Sequence, residues 1–156
     1  ILTVYTIGHS NHPANTFVDL LKKHGIEIVV DVRSYPMSRY NPQFNRGELE
    51  RYLPENGIQY EPRWHSPLGG RHEPDPVKME PGLNGILYLA KTKRVAIMCS
   101  EGKHTDCHRH WTITPALEAK GAVIKHISRD GALLDNVPPK PEKEESPQMS
   151  IEDLPF

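Results

Sequence analysis

The sequence predicts an α/β fold: a single three-layer domain with a mainly parallel sheet and a flexible carboxyl-terminal tail. Three observations carry this. A strand, a helix and a second strand follow one another with short connections within the first 32 residues, the pattern of a parallel crossover unit. The runs Ile26 to Val32 and Arg94 to Met98 are apolar apart from Glu27 and Asp31 in the first and Arg94 in the second, as in strands covered on both faces. From Pro138 the composition turns to Pro, Glu, Lys and Ser, which places the domain at 1–137 and the tail at 138–156.

Element by element, Val4-Tyr5-Thr6-Ile7 is β-branched and aromatic and stops at Gly8, a strand. Pro13 suits a first helical turn, Phe17, Leu20, Leu21 and His24 recur at helical spacing, and Gly25 closes the helix. Ile26 to Val32 is the second strand. Residues 33 to 45, rich in Ser, Pro, Asn and Tyr, read as loop. Glu48 to Leu53 predicts a short helix and Ile58 to Glu61 a brief strand. Trp64 to Gly82 reads as a long loop, in which Leu68-Gly69-Gly70 calls for unusual backbone angles. Gly85 to Lys91 is expected to be helical and Arg94 to Met98 a buried strand. A helix capped by Thr105 or Asp106 should run to about Lys120 and end at Gly121, before a last strand at Val123 to Ile127.

The bulk numbers bound the function. A chain of 156 residues fits one core, and 37% hydrophobic residues with 15 prolines leave part of it outside that core. In the tail, Lys140 and Lys143 stand against Glu142, Glu144, Glu145, Glu152 and Asp153. The tail therefore carries −3 of the total −1 and the body +2, neither being a basic nucleic-acid platform. Two cysteines are too few for a disulfide scaffold. No apolar run is long enough to span a bilayer and the amino end lacks a signal pattern, so a cytoplasmic protein is expected, although Ile1 leaves room for a trimmed start.

In an open parallel sheet, ligands bind outside the carboxyl ends of the strands, and polar residues follow the predicted strands there. The first strand delivers Gly8-His9-Ser10, the second Asp31, Arg33 and Ser34. The third is followed by Arg63, His65 and Leu68-Gly69-Gly70, and the fourth by Cys99-Ser100-Glu101. The catalytic candidates are Cys99, Glu101, His9 and Asp31. The ligand-binding candidates are Ser10, Arg33, Gly69, Gly70, Cys107, His108 and Arg109.

A cysteine between a buried strand and a helix start meets N–H donors and the positive end of a helix dipole, which favours a reactive thiolate. The alternative is an ordinary buried thiol. Glu101 is a general acid/base candidate or a salt-bridge partner of Arg33 or Arg109. Asp31 and Arg33 project from one side of their strand, as site residues or as a structural ion pair with each other. His9 is a base, a ligand or a hydrogen-bonded scaffold residue. His108 and Arg109 in a helix first turn favour an anionic guest. Cys99, Cys107, His104, His108 and His9 are of zinc-binding type, but the two cysteines are eight apart, against the tight pairs of structural sites. No metal or cofactor is expected.

The layout around Cys99 resembles the active-site loops of rhodanese-like sulfurtransferases and cysteine phosphatases, although ten positions from Cys99 to Arg109 exceed the phosphatase spacing. A more extensive resemblance rests on four ordered motifs. These are Thr6-Ile7-Gly8-His9-Ser10; Asp31-Val32-Arg33-Ser34 with Pro36 and Ser38; Leu68-Gly69-Gly70; and Cys99-Ser100-Glu101 followed by Cys107-His108-Arg109. Together they resemble the family called domain of unknown function 488, from the first strand to about Ile127. The resemblance implies the α/β fold, a shared site at these motifs and a prokaryote-type cytosolic protein. It names no reaction. The tail segment Gln148 to Phe156, with Ile151, Leu154 and Phe156 as its apolar residues, resembles sliding-clamp-binding peptides, against which stands a chance apolar end.

Three function classes follow. The leading one is an enzyme acting on a small anionic or nucleotide-like ligand at the strand ends, with Cys99 as nucleophile. The second is a non-catalytic DNA-maintenance module recruited to a sliding clamp by Gln148, Ile151, Leu154 and Phe156. The third is a thiol or metal sensor built on Cys99 and Cys107.

Overall fold

A computed structural model describes residues 2–33, 39–62, 76–99 and 113–135. The domain is α/β as expected, a six-stranded sheet with helices on both faces. Its strands are β1 (Thr3–Gly8), β2 (Ile28–Asp31), β3 (Gln59–Pro62), β4 (Val95–Cys99), β5 (Val123–Ile127) and β6 (Leu133–Asp135). Among the described residues, its helices are α1 (Ala14–Lys23), α2 (Arg46–Glu55), α3 (Pro76–Ala90) and α4 (Thr114–Ala119), and a 3-10 turn spans Pro42–Phe44. Among the described residues, no helix is long and apolar enough to cross a membrane.

The sheet order is β3-β2-β4-β1-β5-β6. All pairs are parallel except β5 with β6, which are antiparallel. Period-two alternation divides each central strand between two cores. Tyr5, Ile7, Val29, Ala96 and Met98 pack with Phe17, Leu21, Leu49 and Leu53 of α1 and α2. Val4, Ile28, Val30, Val95 and Ile97 pack with Leu83 and Ile86 of α3 and Leu117 of α4. The sheet is therefore covered on both faces, which is why its strands read as continuous apolar runs rather than as alternation.

The order of the strands places a switch point. From β1 the chain passes by way of α1 towards β2 on one side; from β4 it passes to β5 on the other, with α4 before it on the opposite face. β1 and β4 are adjacent, and their last residues, Gly8 and Cys99, are register partners. Two connections that leave neighbouring strands in opposite directions open a crevice at their carboxyl ends.

Several sequence expectations change. Pro13 is the residue before the first turn of α1, with extended backbone, and not the first helical residue. α2 extends beyond Glu48 to Leu53 at both ends, with Pro54 inside its last turn. α3 begins at 76, so residues 76–82, read as loop, are helical. Pro81 and Gly82 concealed this, although Met79, Leu83 and Ile86 make a buried helical stripe. β6 was missed because it is three residues long and exposed throughout, so no alternation marks it.

The glycine loop with Gly69 and Gly70, the Glu101 to Arg109 segment including Cys107 and His108, and the tail with its clamp-like residues Gln148, Ile151, Leu154 and Phe156 lie outside the described residues.

Candidate functional site

Five candidate residues lie within the described chain at the carboxyl edge: His9, Ser10, Asp31, Arg33 and Cys99. Two backbone bonds fix this edge. The N–H of His9 donates to the Cys99 carbonyl at 2.9 Å and that of Val32 to the Met98 carbonyl at 3.2 Å.

Alternation separates the candidates. Met98 belongs to the core of α1 and α2 and Ile97 to that of α3 and α4, so Cys99 falls on the α3/α4 side of the sheet. Asp31 follows Val30 and falls on the α1/α2 side, as does His9, whose ring stacks on Phe44 with centroids 4.4 Å apart. Cys99 is 1% exposed. The structure thus brings His9, Asp31 and Arg33 together and sets Cys99 on the opposite face.

Asp31 and Arg33 bond each other. Arg33 Nε donates to Asp31 Oδ1 at 2.9 Å and Nη2 to Oδ2 at 2.7 Å, a forked pair, while the Arg33 backbone N–H reaches Oδ1 at 3.1 Å. Nη2 also donates to the Phe44 carbonyl at 2.7 Å, and the Tyr60 hydroxyl donates to Asp31 Oδ2 at 2.6 Å. Both charged side chains are buried, at 0% and 5% exposure. Burial works against the Arg33 charge, and the hydrogen bond and charge of Asp31 outweigh it, so the guanidinium titrates above its usual value. Burial, with the adjacent Asp31 carboxylate, pushes the Tyr60 phenol up and keeps it a donor. The N–H groups on Arg33 Nη1 take part in none of these bonds.

His9 is 4% exposed, and its Nδ1 lies 2.8 Å from the Ser10 carbonyl. A carbonyl can only accept, so Nδ1 carries the proton. Burial, reinforced by the Arg33 charge and only partly opposed by the Ser10 bond and Asp31, lowers the ring to about 4. The imidazole is therefore neutral at physiological pH with an unprotonated Nε2, a lone pair held in a fixed direction. Ser10 permits this by adopting φ +49°, the left-handed region. It is the one non-glycine residue with positive φ among the described residues, and such backbone persists where its surroundings hold it.

Phe44, Tyr60 and His12 belong to this constellation and were not picked out from the sequence. The aromatic pair had no motif to mark it; only the parallel pairing of β2 with β3 sets Tyr60 beside Asp31. His12 sits between Ser10 and the start of α1 and is 6% exposed. Among the described residues, no group of three or more His, Cys, Asp or Glu side chains is placed to hold a metal ion.

Fold and site together define a three-layer α/β domain with a buried histidine and a carboxylate–guanidinium pair at its switch point. The family described as Domain of unknown function DUF488 matches residues 13–80, which supports the resemblance carried by the motifs directly. That segment of the chain is similar to the family. It contains Asp31, Arg33, Phe44 and Tyr60, and His9 and Cys99 flank it. No curated protein matches the chain.

Proposed function

We propose that this protein is an enzyme acting on a small anionic or nucleotide-like ligand in the crevice between the ends of β1 and β4, with His9 as its general base. The observation that carries the reading is the His9 ring: neutral, its tautomer fixed by the Ser10 carbonyl, at the switch point of the sheet. A base of this kind is already deprotonated near neutral pH, and the negative charge of a bound anion would raise its affinity for a proton towards the working range. The Asp31–Arg33 pair fixes the floor beside it, and the Nη1 donors are available to a ligand oxygen. Cys99 is given no step in this scheme, since strand alternation sets its side chain on the other face of the sheet from His9.

The test is a turnover screen of the full chain with phosphate mono- and diesters and nucleotides, repeated with His9→Asn. Asn keeps a donor for the Ser10 carbonyl and removes the base. Turnover should fall about 10²- to 10⁴-fold in the variant. Undiminished turnover in a folded His9→Asn protein, or a native protein that turns over and binds none of these compounds, would overturn the reading.

A further inference from the structure

The entrance to α1 holds donors that nothing in the described chain uses. α1 has ten residues, and Pro13 gives it no side-chain cap. The Thr16 N–H takes the Asn15 Oδ1 at 2.9 Å and the Phe17 N–H takes the Pro13 carbonyl at 3.1 Å. The N–H groups of Ala14 and Asn15 make no bond among the described residues. They stand at the positive end of the helix dipole.

His12, one residue before Pro13, is the independent sign. Its backbone is held from both sides: its N–H donates to the His9 carbonyl at 3.3 Å, and its carbonyl accepts Gln43 Nε2 at 2.8 Å. The residue is only 6% exposed, and its Nε2 is the buried side-chain polar atom left without a partner among the described residues. Proteins rarely leave such an atom unmet unless something else meets it. A third group stands close by. Exposed Arg129 binds the same loop through Nη2 to Asn11 Oδ1 at 2.7 Å. The neighbouring carboxylate of Asp130 accepts from Ser128 and the Ala132 N–H, and forms no ion pair with Arg129 among the described residues. Burial, then the Arg129 charge, holds His12 below its ordinary value, so its ring is neutral and can carry an N–H at Nε2.

Helix N–H groups, an imidazole N–H and a guanidinium are all donors, and the ligand that suits them is an acceptor with several oxygens. We propose that the first turn of α1, His12 and Arg129 form an anion subsite that holds the phosphoryl group of a ligand whose reacting part lies over His9. This rests on the strand-end reading above and adds to it the part of the ligand that is gripped but does not react.

The experiment is a titration of the ¹⁵N-labelled full chain with inorganic phosphate and, separately, with AMP. The Ala14 and Asn15 amides and the His12 Nε2 resonance should move together and saturate. Arg129→Gln, a change at an exposed side chain, should weaken AMP about tenfold, the size of one lost charge-assisted contact. AMP binding more tightly than phosphate identifies a nucleotide as the source of the phosphoryl group; equal affinities identify the phosphoryl group alone. If the His9 ring responds while Ala14, Asn15 and His12 stay still, the subsite is wrong and the strand-end reading stands. If none of them responds, both fall. Unchanged affinity in Arg129→Gln also overturns the subsite.

Discussion

The Tyr60 hydroxyl donates to Asp31 Oδ2 at 2.6 Å, from the edge strand β3 to its neighbour β2. Asp31 Oδ2 thus receives Tyr60 and the Arg33 Nη2, while Oδ1 receives Arg33 Nε and the Arg33 backbone N–H. A carboxylate with no exposed surface is stable only when met in this way.

Removing one partner should therefore cost more than removing the pair. Tyr60→Phe should cost about 1–3 kcal/mol, the loss of one bond to a charged group. Arg33→Met, which leaves Asp31 uncompensated, should cost roughly 3–5 kcal/mol. Arg33→Met combined with Asp31→Asn should cost less than the sum of the two single changes. Urea denaturation of the four variants measures this, and additive losses would contradict the coupling.

His9 makes stability depend on pH in a defined direction. Its folded value, about 4, lies below the ordinary 6.5, so the unfolded chain binds more protons between those values. Its contribution is fully present above 6.5 and is lost as pH falls through about 4. The loss should approach about 3 kcal/mol. Denaturation midpoints should fall across that window in the native protein and flatten in His9→Asn.

Ser10 at φ +49° lies where a side chain is disfavoured. Ser10→Gly relieves the backbone but gives the unfolded chain more freedom, so stability should change by no more than about 1 kcal/mol. Ser10→Val should lose roughly 1–3 kcal/mol, because a β-branched residue resists this conformation. Equal stability of the Val and Gly variants would show that the turn is not held as described.

Cys99, at 1% exposure, should react slowly with thiol reagents in the native state and rapidly in denaturant. Mass-spectrometric labelling across pH measures it. Rapid native labelling that titrates well below about pH 8.5 would restore the thiolate nucleophile read from the sequence.

The sequence showed the fold more fully than the site. Continuous apolar runs identified β2 and β4, and Gly25 and Gly121, both with positive φ, ended helices where expected. Pro81 misled because a proline near the start of a long helix reads as a breaker, whereas the buried stripe of Met79, Leu83 and Ile86 overrides it. At the site, strand-end polarity located His9, Asp31, Arg33 and Cys99, but a list of strand ends does not say which face each side chain takes. That depends on register and alternation, and these put Cys99 on the other side from His9. Phe44 and Tyr60 join the site through tertiary contacts that no local pattern announces.

The most direct test of the central claim is the ¹⁵N spectrum of the His9 ring in the full chain, followed from about pH 3 to 8 and then at neutral pH with AMP added. A protonated Nδ1, a bare Nε2, a titration midpoint near 4 and an Nε2 shift on adding AMP are the predicted result. A ring that titrates near 6.5, or one that AMP leaves unmoved, would contradict a preformed base at the strand ends.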